Sequence, residues 1–135
     1  MNHDHILVVE DDPSSSELIS YTLEQAGHRV VTVFNGDEAV RSVERSCPRL
    51  VTLDLLLPLQ SGWEVLRAIR RHPRHHIATL PIIVVSALTS PHLRADLRKS
   101  GVDHCLPKPF SVTALRVLVC SLLAPSTDTV WDSPL

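Results

Sequence analysis

Five short apolar runs are set along this chain, and after each the pattern changes to that of a helix. The runs are residues 5–10, 29–34, 50–54, 81–85 and 103–106. Such short apolar runs, bounded by turn and cap residues, read as buried strands. This alternation leaves few architectures open. Strands separated by helices lie parallel, joined by right-handed crossovers, with helices on both faces of the sheet.

The intervening segments carry helix signals. Asp12-Pro13 is a helix start, with Asp12 as cap and Pro13 in the first turn. Leu18, Ile19, Leu23 and Ala26 follow at helical spacing, and Gly27 ends the helix. Asn35-Gly36 opens a second helix around Ala39, Val40 and Val43. The third carries Trp63, Leu66 and Ile69, and Arg67, Arg70 and Arg71 read as its solvated face. The stretch His72-Pro73-Arg74-His75-His76 has no period and reads as a polar loop. Ser90-Pro91 starts a fourth helix, with Leu93 and Leu97, which stops at Gly101. Ser111 caps a last helix with Leu115, Leu118, Val119 and Leu122 on its inner face. The fold class is α/β, and of the two common doubly wound solutions the one that needs only five strands is taken: a flavodoxin-like (βα)5 doubly wound five-stranded parallel sheet, order 2-1-3-4-5. Residues 1–124 form the domain, and 125–135 read as a flexible tail or linker.

Composition removes several functions. A net charge of -2 gives no electrostatic case for nucleic acid or an anionic membrane surface. No apolar run approaches membrane-spanning length, and the start lacks a signal-peptide pattern. The widely spaced Cys47, Cys105 and Cys120 suggest reduced thiols in a cytoplasm, not a disulfide framework or zinc site.

One charge stands out inside an apolar run. Asp54 ends Val51-Thr52-Leu53-Asp54 and precedes Leu55-Leu56-Leu57-Pro58. A carboxylate is costly inside a sheet and natural at its rim, where open α/β sheets bind ligands. The strand order sets the ends of strands 1, 3, 4 and 5 side by side. They present Glu10 and Asp11, then Asp54, then Ser86, then Lys108. Three clustered carboxylates repel unless neutralised. Mg2+ does this while leaving sites for phosphate oxygens. Lys108 is a flexible point charge for a phosphoryl oxygen, and Ser86 offers a hydroxyl. The set suits phosphoryl transfer to Asp54 as nucleophile.

These residues carry a resemblance. Ile6-Leu7-Val8-Val9-Glu10-Asp11-Asp12, then Asp54-Leu55-Leu56-Leu57-Pro58 with Gly62, Val84-Val85-Ser86-Ala87, and Lys108-Pro109-Phe110 occur in order across residues 5–124. The chain resembles a response-regulator receiver domain of two-component signalling. The resemblance implies that Asp54 accepts a phosphoryl group from a sensor histidine kinase or a histidine phosphotransfer protein. It implies Mg2+, with Mn2+ as a substitute, held by Glu10, Asp11, Asp54 and the backbone carbonyl of Leu56. Lys108 would hold the phosphoryl group before a cis bond to Pro109, and Ser86 would report modification. Output would pass to a downstream protein, with no direct nucleic-acid or membrane contact. The face of the fourth helix, fifth strand and last helix is the expected contact, including Leu93, Arg94, Leu97 and Arg116, and a homodimer through it is one arrangement allowed.

Two departures bear on the switch. Cys105 stands three before the lysine, where the family usually has an aromatic ring, so either the output face switches by another route or the hydroxyl–aromatic coupling is weak. Leu56 and Leu88, two beyond Asp54 and Ser86, are apolar and cannot polarise an attacking water, so self-dephosphorylation is expected to be slow. Two other functions are weighed. A Mg2+-dependent phosphohydrolase often has a second acid two after its nucleophile, and Leu56 stands there. An interaction module with the site but a weakened switch fits Cys105.

Overall fold

In the computed structural model, residues 4–87 and 90–124 are described. The expectations for Leu88 and for the tail at 125–135 lie outside them. Five strands form one parallel sheet: β1 (Ile6–Val9), β2 (Val30–Val33), β3 (Leu50–Leu53), β4 (Ile82–Ser86) and β5 (His104–Pro107). Their order is β2-β1-β3-β4-β5, the expected one of the two common doubly wound orders. β1, β3 and β4 are buried along their whole length, which is why their sequences are continuously apolar.

The helices are α1 (Pro13–Gln25), α2 (Gly36–Arg45), α3 (Gly62–Arg70), α4 (His75–Ala78), α5 (Pro91–Lys99) and α6 (Val112–Leu123). Their starts follow the predicted chemistry. Asp12 accepts from the Ser15 amide, Asn35 from Glu38, Ser90 from Leu93 and Ser111 from Ala114. Ser61 and Glu64 form a reciprocal capping box at α3. α1 and α6 pack on one face, through Ile19, Leu23, Leu115 and Val119. α2, α3, α4 and α5 cover the other, through Ala39, Val43, Leu66, Ile69, Ile77 and Leu97.

Four expectations are corrected. The stretch around His75 is not all loop: it holds α4, pinned by fully buried Ile77, and one apolar residue is too few to show a period. Arg70 does not belong to a solvated face. Its guanidinium donates to the carbonyls of Ala78 (3.0 Å) and Gly101 (2.7 and 3.0 Å) and reaches Asp103, tying α3 to the ends of α4 and α5. Leu97 is 1% exposed, so it supports the core and is not part of a contact face. Arg116 lines a cavity with Ala26 and His28, on the α1 side of α6 and away from α5.

Among the described residues, one buried hydroxyl is left over. The Thr52 hydroxyl sits in the middle of β3, in register with Val8 and Ile83, and makes no hydrogen bond. A buried polar atom without a partner costs free energy that a methyl does not. Thr52→Val is expected to raise stability by about 1 kcal/mol, seen as a higher urea midpoint at an unchanged slope.

Candidate functional site

The polar groups gather where the sheet order puts them. β1 and β3 pair in register, so Glu10 and Asp54 follow neighbouring strand ends, and the Asp54 amide donates to the Val9 carbonyl at 3.1 Å. β5 closes the group from the other side. Ser86 pairs with Pro107, and the Lys108 amide donates to the Ser86 carbonyl at 3.0 Å. The Lys108-Pro109 bond is cis.

Glu10, Asp11 and Asp54 each offer a carboxylate oxygen within 4.8 Å of the others. The Lys108 ammonium lies 2.9 Å from Asp54 Oδ2 and 2.7 Å from Glu10 Oε1. Asp54 Oδ1 accepts from the Leu56 amide at 3.1 Å, and Glu10 Oε2 from the Asp12 amide at 3.2 Å. Asp11 is exposed and Glu10 is buried, so Glu10 is not a solvated strand end. Asp54 lies deeper than a rim position predicts, at 5% exposure, because Lys108 and the β3–α3 loop close over it. Asp11 is the exposed member of the three acids.

Electrostatics follow from this crowding. Burial pushes the Glu10 carboxyl up to about 7; the bond from Lys108 opposes the rise, and the charge of Asp54 adds to it. Burial lowers the Lys108 ammonium, but its bonds and attractions to Glu10 and Asp54 outweigh that and leave it above the usual lysine value.

The donor set fits a hard divalent cation. Glu10 Oε1 is buried with the Lys108 ammonium at 2.7 Å, and among the described residues three carboxylates gather around that single ammonium. Oxygen-only donors of this number suit Mg2+. Fully buried Ser86 stands at the end of β4 beside this group. Leu56 is 55% exposed on the loop leaving Asp54. Cys105 is half-buried against the core beneath α5 and His104 is exposed, as strand alternation predicts. Sequence reasoning named Gly62 with the Asp54 motif but assigned it no contact. A Cβ there would lie 2.3 Å from the Asp54 carbonyl oxygen, so the first turn of α3 rests on the backbone of Asp54 itself.

Fold and site together define a doubly wound α/β protein with an acidic pocket, closed by one lysine, at the carboxyl edge of its sheet. A profile of the response regulator receiver domain matches residues 6–119. The phosphate regulon transcriptional regulatory protein PhoB of Rhizobium meliloti is 37% identical over 118 residues, 87% of this chain and 51% of its own length. The DNA-binding dual master transcriptional regulator RpaA of Synechocystis is 35% identical over 118 residues, 87% of this chain and 48% of its own. The chain spans about half the length of these relatives. The solved receiver domain of the sensor histidine kinase PA1611 of Pseudomonas aeruginosa has a magnesium ion coordinated in its active-site cleft. It matches with a TM-score of 0.80 and 30% identity, over 90% of this chain and 98% of that one.

The chain belongs to the response regulator receiver domain family. Receivers are signalling switches that accept a phosphoryl group, not classical enzymes, and the phosphohydrolase alternative is not favoured. RpaA is named as DNA-binding, which sits against the expectation of no nucleic-acid partner. Among the described residues no helix is long and apolar enough to cross a membrane.

Proposed function

We propose that this chain is a phosphorylation-activated switch with Asp54 as its acceptor. An Asp54 oxygen bonds to phosphorus as the phosphorus–nitrogen bond of a donor's phosphohistidine breaks, leaving an acyl phosphate on Asp54. The donor is a sensor histidine kinase or a histidine phosphotransfer protein, and the setting is the cytoplasm. Glu10, Asp11, Asp54 and the Leu56 carbonyl would hold Mg2+, or Mn2+ in its place. The ion supplies charge neutralisation and in-line orientation of the phosphoryl oxygens. Lys108 moves its bond from Asp54 Oδ2 to a phosphoryl oxygen, and Ser86 turns its hydroxyl to another. Only one arrangement of these groups satisfies the added charge, so phosphorylation shifts the population toward it. Output passes to a downstream protein.

The observation that carries this reading is the Lys108 ammonium at 2.9 Å from Asp54, beside two further acids from another strand end. The test is to incubate the full chain with Mg2+ and a small phosphodonor, then weigh the intact protein. One phosphoryl adduct is expected on the wild type and none on Asp54→Asn. No adduct on the wild type would leave only an interaction module.

Exposed, apolar Leu56 gives no group to position water beside the adduct. We expect a slow loss of the phosphoryl group, and Leu56→Asn to hasten it about tenfold. An unchanged decay rate in Leu56→Asn would mean that water reaches the adduct by a route Leu56 does not guard.

A further inference from the structure

The sheet has two outer strands, and their edges are built differently. Among the described residues β2 pairs only with β1, and β5 only with β4. The β5 edge is blunted. It starts beside Asp103, carries exposed His104, and ends in Pro107, which has no N–H to offer a neighbour. β2 has none of these guards. Val30-Val31-Thr32-Val33-Phe34 holds no charge and no proline, and Val31 and Phe34 are 42% and 52% exposed. An unguarded edge is a template for another strand.

The pairing with β1 fixes which backbone groups β2 offers outward. The Ile6 amide donates to the Arg29 carbonyl, and the Glu10 amide to the Val33 carbonyl. Parallel pairing therefore turns residues 29, 31 and 33 toward β1, and the N–H and C=O of Val30, Thr32 and Phe34 away from it. The Phe34 amide accordingly reaches the Glu38 carboxylate of α2, at 3.3 Å.

These outward groups match a second β2 laid antiparallel about a twofold axis at Thr32. Thr32 exchanges both backbone hydrogen bonds with the other Thr32, and Val30 with the other Phe34. On one face Val30 then lies beside Phe34 and Thr32 beside Thr32. On the other, exposed Val31 covers half-buried Val33. Each is a cross-strand pair of apolar or β-branched side chains, and none sets charge against charge.

α2 repeats the match in charge. A groove of about 420 Å³ lies along the edge, lined by Thr32, Val33 and Phe34 of the strand side and by Glu38, Arg41 and Arg45 of α2. Arg41 is held by Asp37 one turn earlier. Glu38 stands in the first turn of α2 and Arg45 in its last, and Arg45 makes no ion pair among the described residues. The same axis lays the two α2 helices antiparallel, so Glu38 of each copy meets Arg45 of the other.

We propose that β2 and α2 form a homodimer contact that joins two sheets edge to edge. The contact leaves the carboxyl edges, and with them both Asp54 pockets, open to a donor. It is a different surface from that of α5, β5 and α6. One short strand and one helix stripe make a small interface, so the dimer dissociates on dilution.

The test is sedimentation velocity on the full chain over about a hundredfold range of concentration. The wild type is expected to pass from monomer to dimer as concentration rises. Val31→Lys, at a position exposed in the monomer, is expected to raise the dimer dissociation constant about tenfold or more. Glu38→Arg alone and Arg45→Glu alone each set like charges together at both ends of the contact, and each is expected to stay monomeric. In an equal mixture of those two variants opposite charges meet at both ends, and the dimer returns as a heterodimer. Misfolding cannot produce that rescue. A wild type that is monomeric throughout would overturn the proposal. So would a dimer that survives Val31→Lys, or two charge variants that remain monomers when mixed.

Discussion

Gly62→Ala is expected to lower unfolding free energy by about 3 kcal/mol or more, read as a fall in urea midpoint. The argument is geometric. A Cβ at Gly62 would lie 2.3 Å from the Asp54 carbonyl oxygen and 2.5 Å from Leu55 Cα. Both are backbone atoms of the segment leaving β3, so no rotamer change relieves the overlap. The segment is also fixed from both sides. The Asp54 amide donates to Val9, and the Gly62 amide donates to the Leu55 carbonyl at 3.0 Å. Moving it would shift Asp54 itself, so phosphorylation of the remaining folded protein should fall as well. Gly27→Ala is the control. Its φ of +95° penalises a side chain, but a Cβ there meets nothing within 4 Å. The loss there should be about 1 kcal/mol, with phosphorylation unchanged. Similar losses at both glycines would show that the β3–α3 segment yields more easily than its bonding suggests.

How far the sequence discloses this molecule depends on whether a feature is local. The Asp12-Pro13 start of α1 is local chemistry, and it holds. So do Gly27 and Gly101, whose φ values of +95° and +92° follow α1 and α5. The meeting of Glu10, Asp11, Asp54 and Lys108 is not local, yet it was legible. It needs only a strand order, and in a parallel sheet every strand ends at the same rim. What stayed hidden depends on side chains meeting backbone far along the chain. Arg70 reads as a surface arginine because its partners, the carbonyls of Ala78 and Gly101, have no sequence signature. Leu97 and Arg116 were placed on one contact face, but helix rotation is set by tertiary packing, which buries the first and turns the second toward α1. Gly62 was visible as a loop glycine, but its contact with the Asp54 carbonyl required coordinates.

Asp11→Asn, or chelation of the divalent ion, is expected to slow phosphorylation of Asp54 by about 100-fold or more. Asp11 is the exposed member of the acid cluster, so its loss should disturb the fold least. Its proposed work is to help hold a cation that neutralises the incoming phosphoryl group. Without that cation, phosphoryl oxygens would approach the carboxylates of Glu10 and Asp54 with Lys108 as the only nearby cation found among the described residues. Lys108 already ion-pairs with both acids, so little of its charge is left for a third partner. The same substitution should act oppositely, or not at all, on stability. With chelator present, removing one of three crowded acids relieves repulsion, so the thermal midpoint of Asp11→Asn should not fall below that of the wild type. With Mg2+ present, the wild type should gain stability by mass action and the variant should gain less. A role that was only structural would give the reverse: a lower midpoint in chelator and an equal response to Mg2+. The two melting curves therefore test the metal site without any phosphodonor, and the adduct assay then shows whether the ion is needed for transfer.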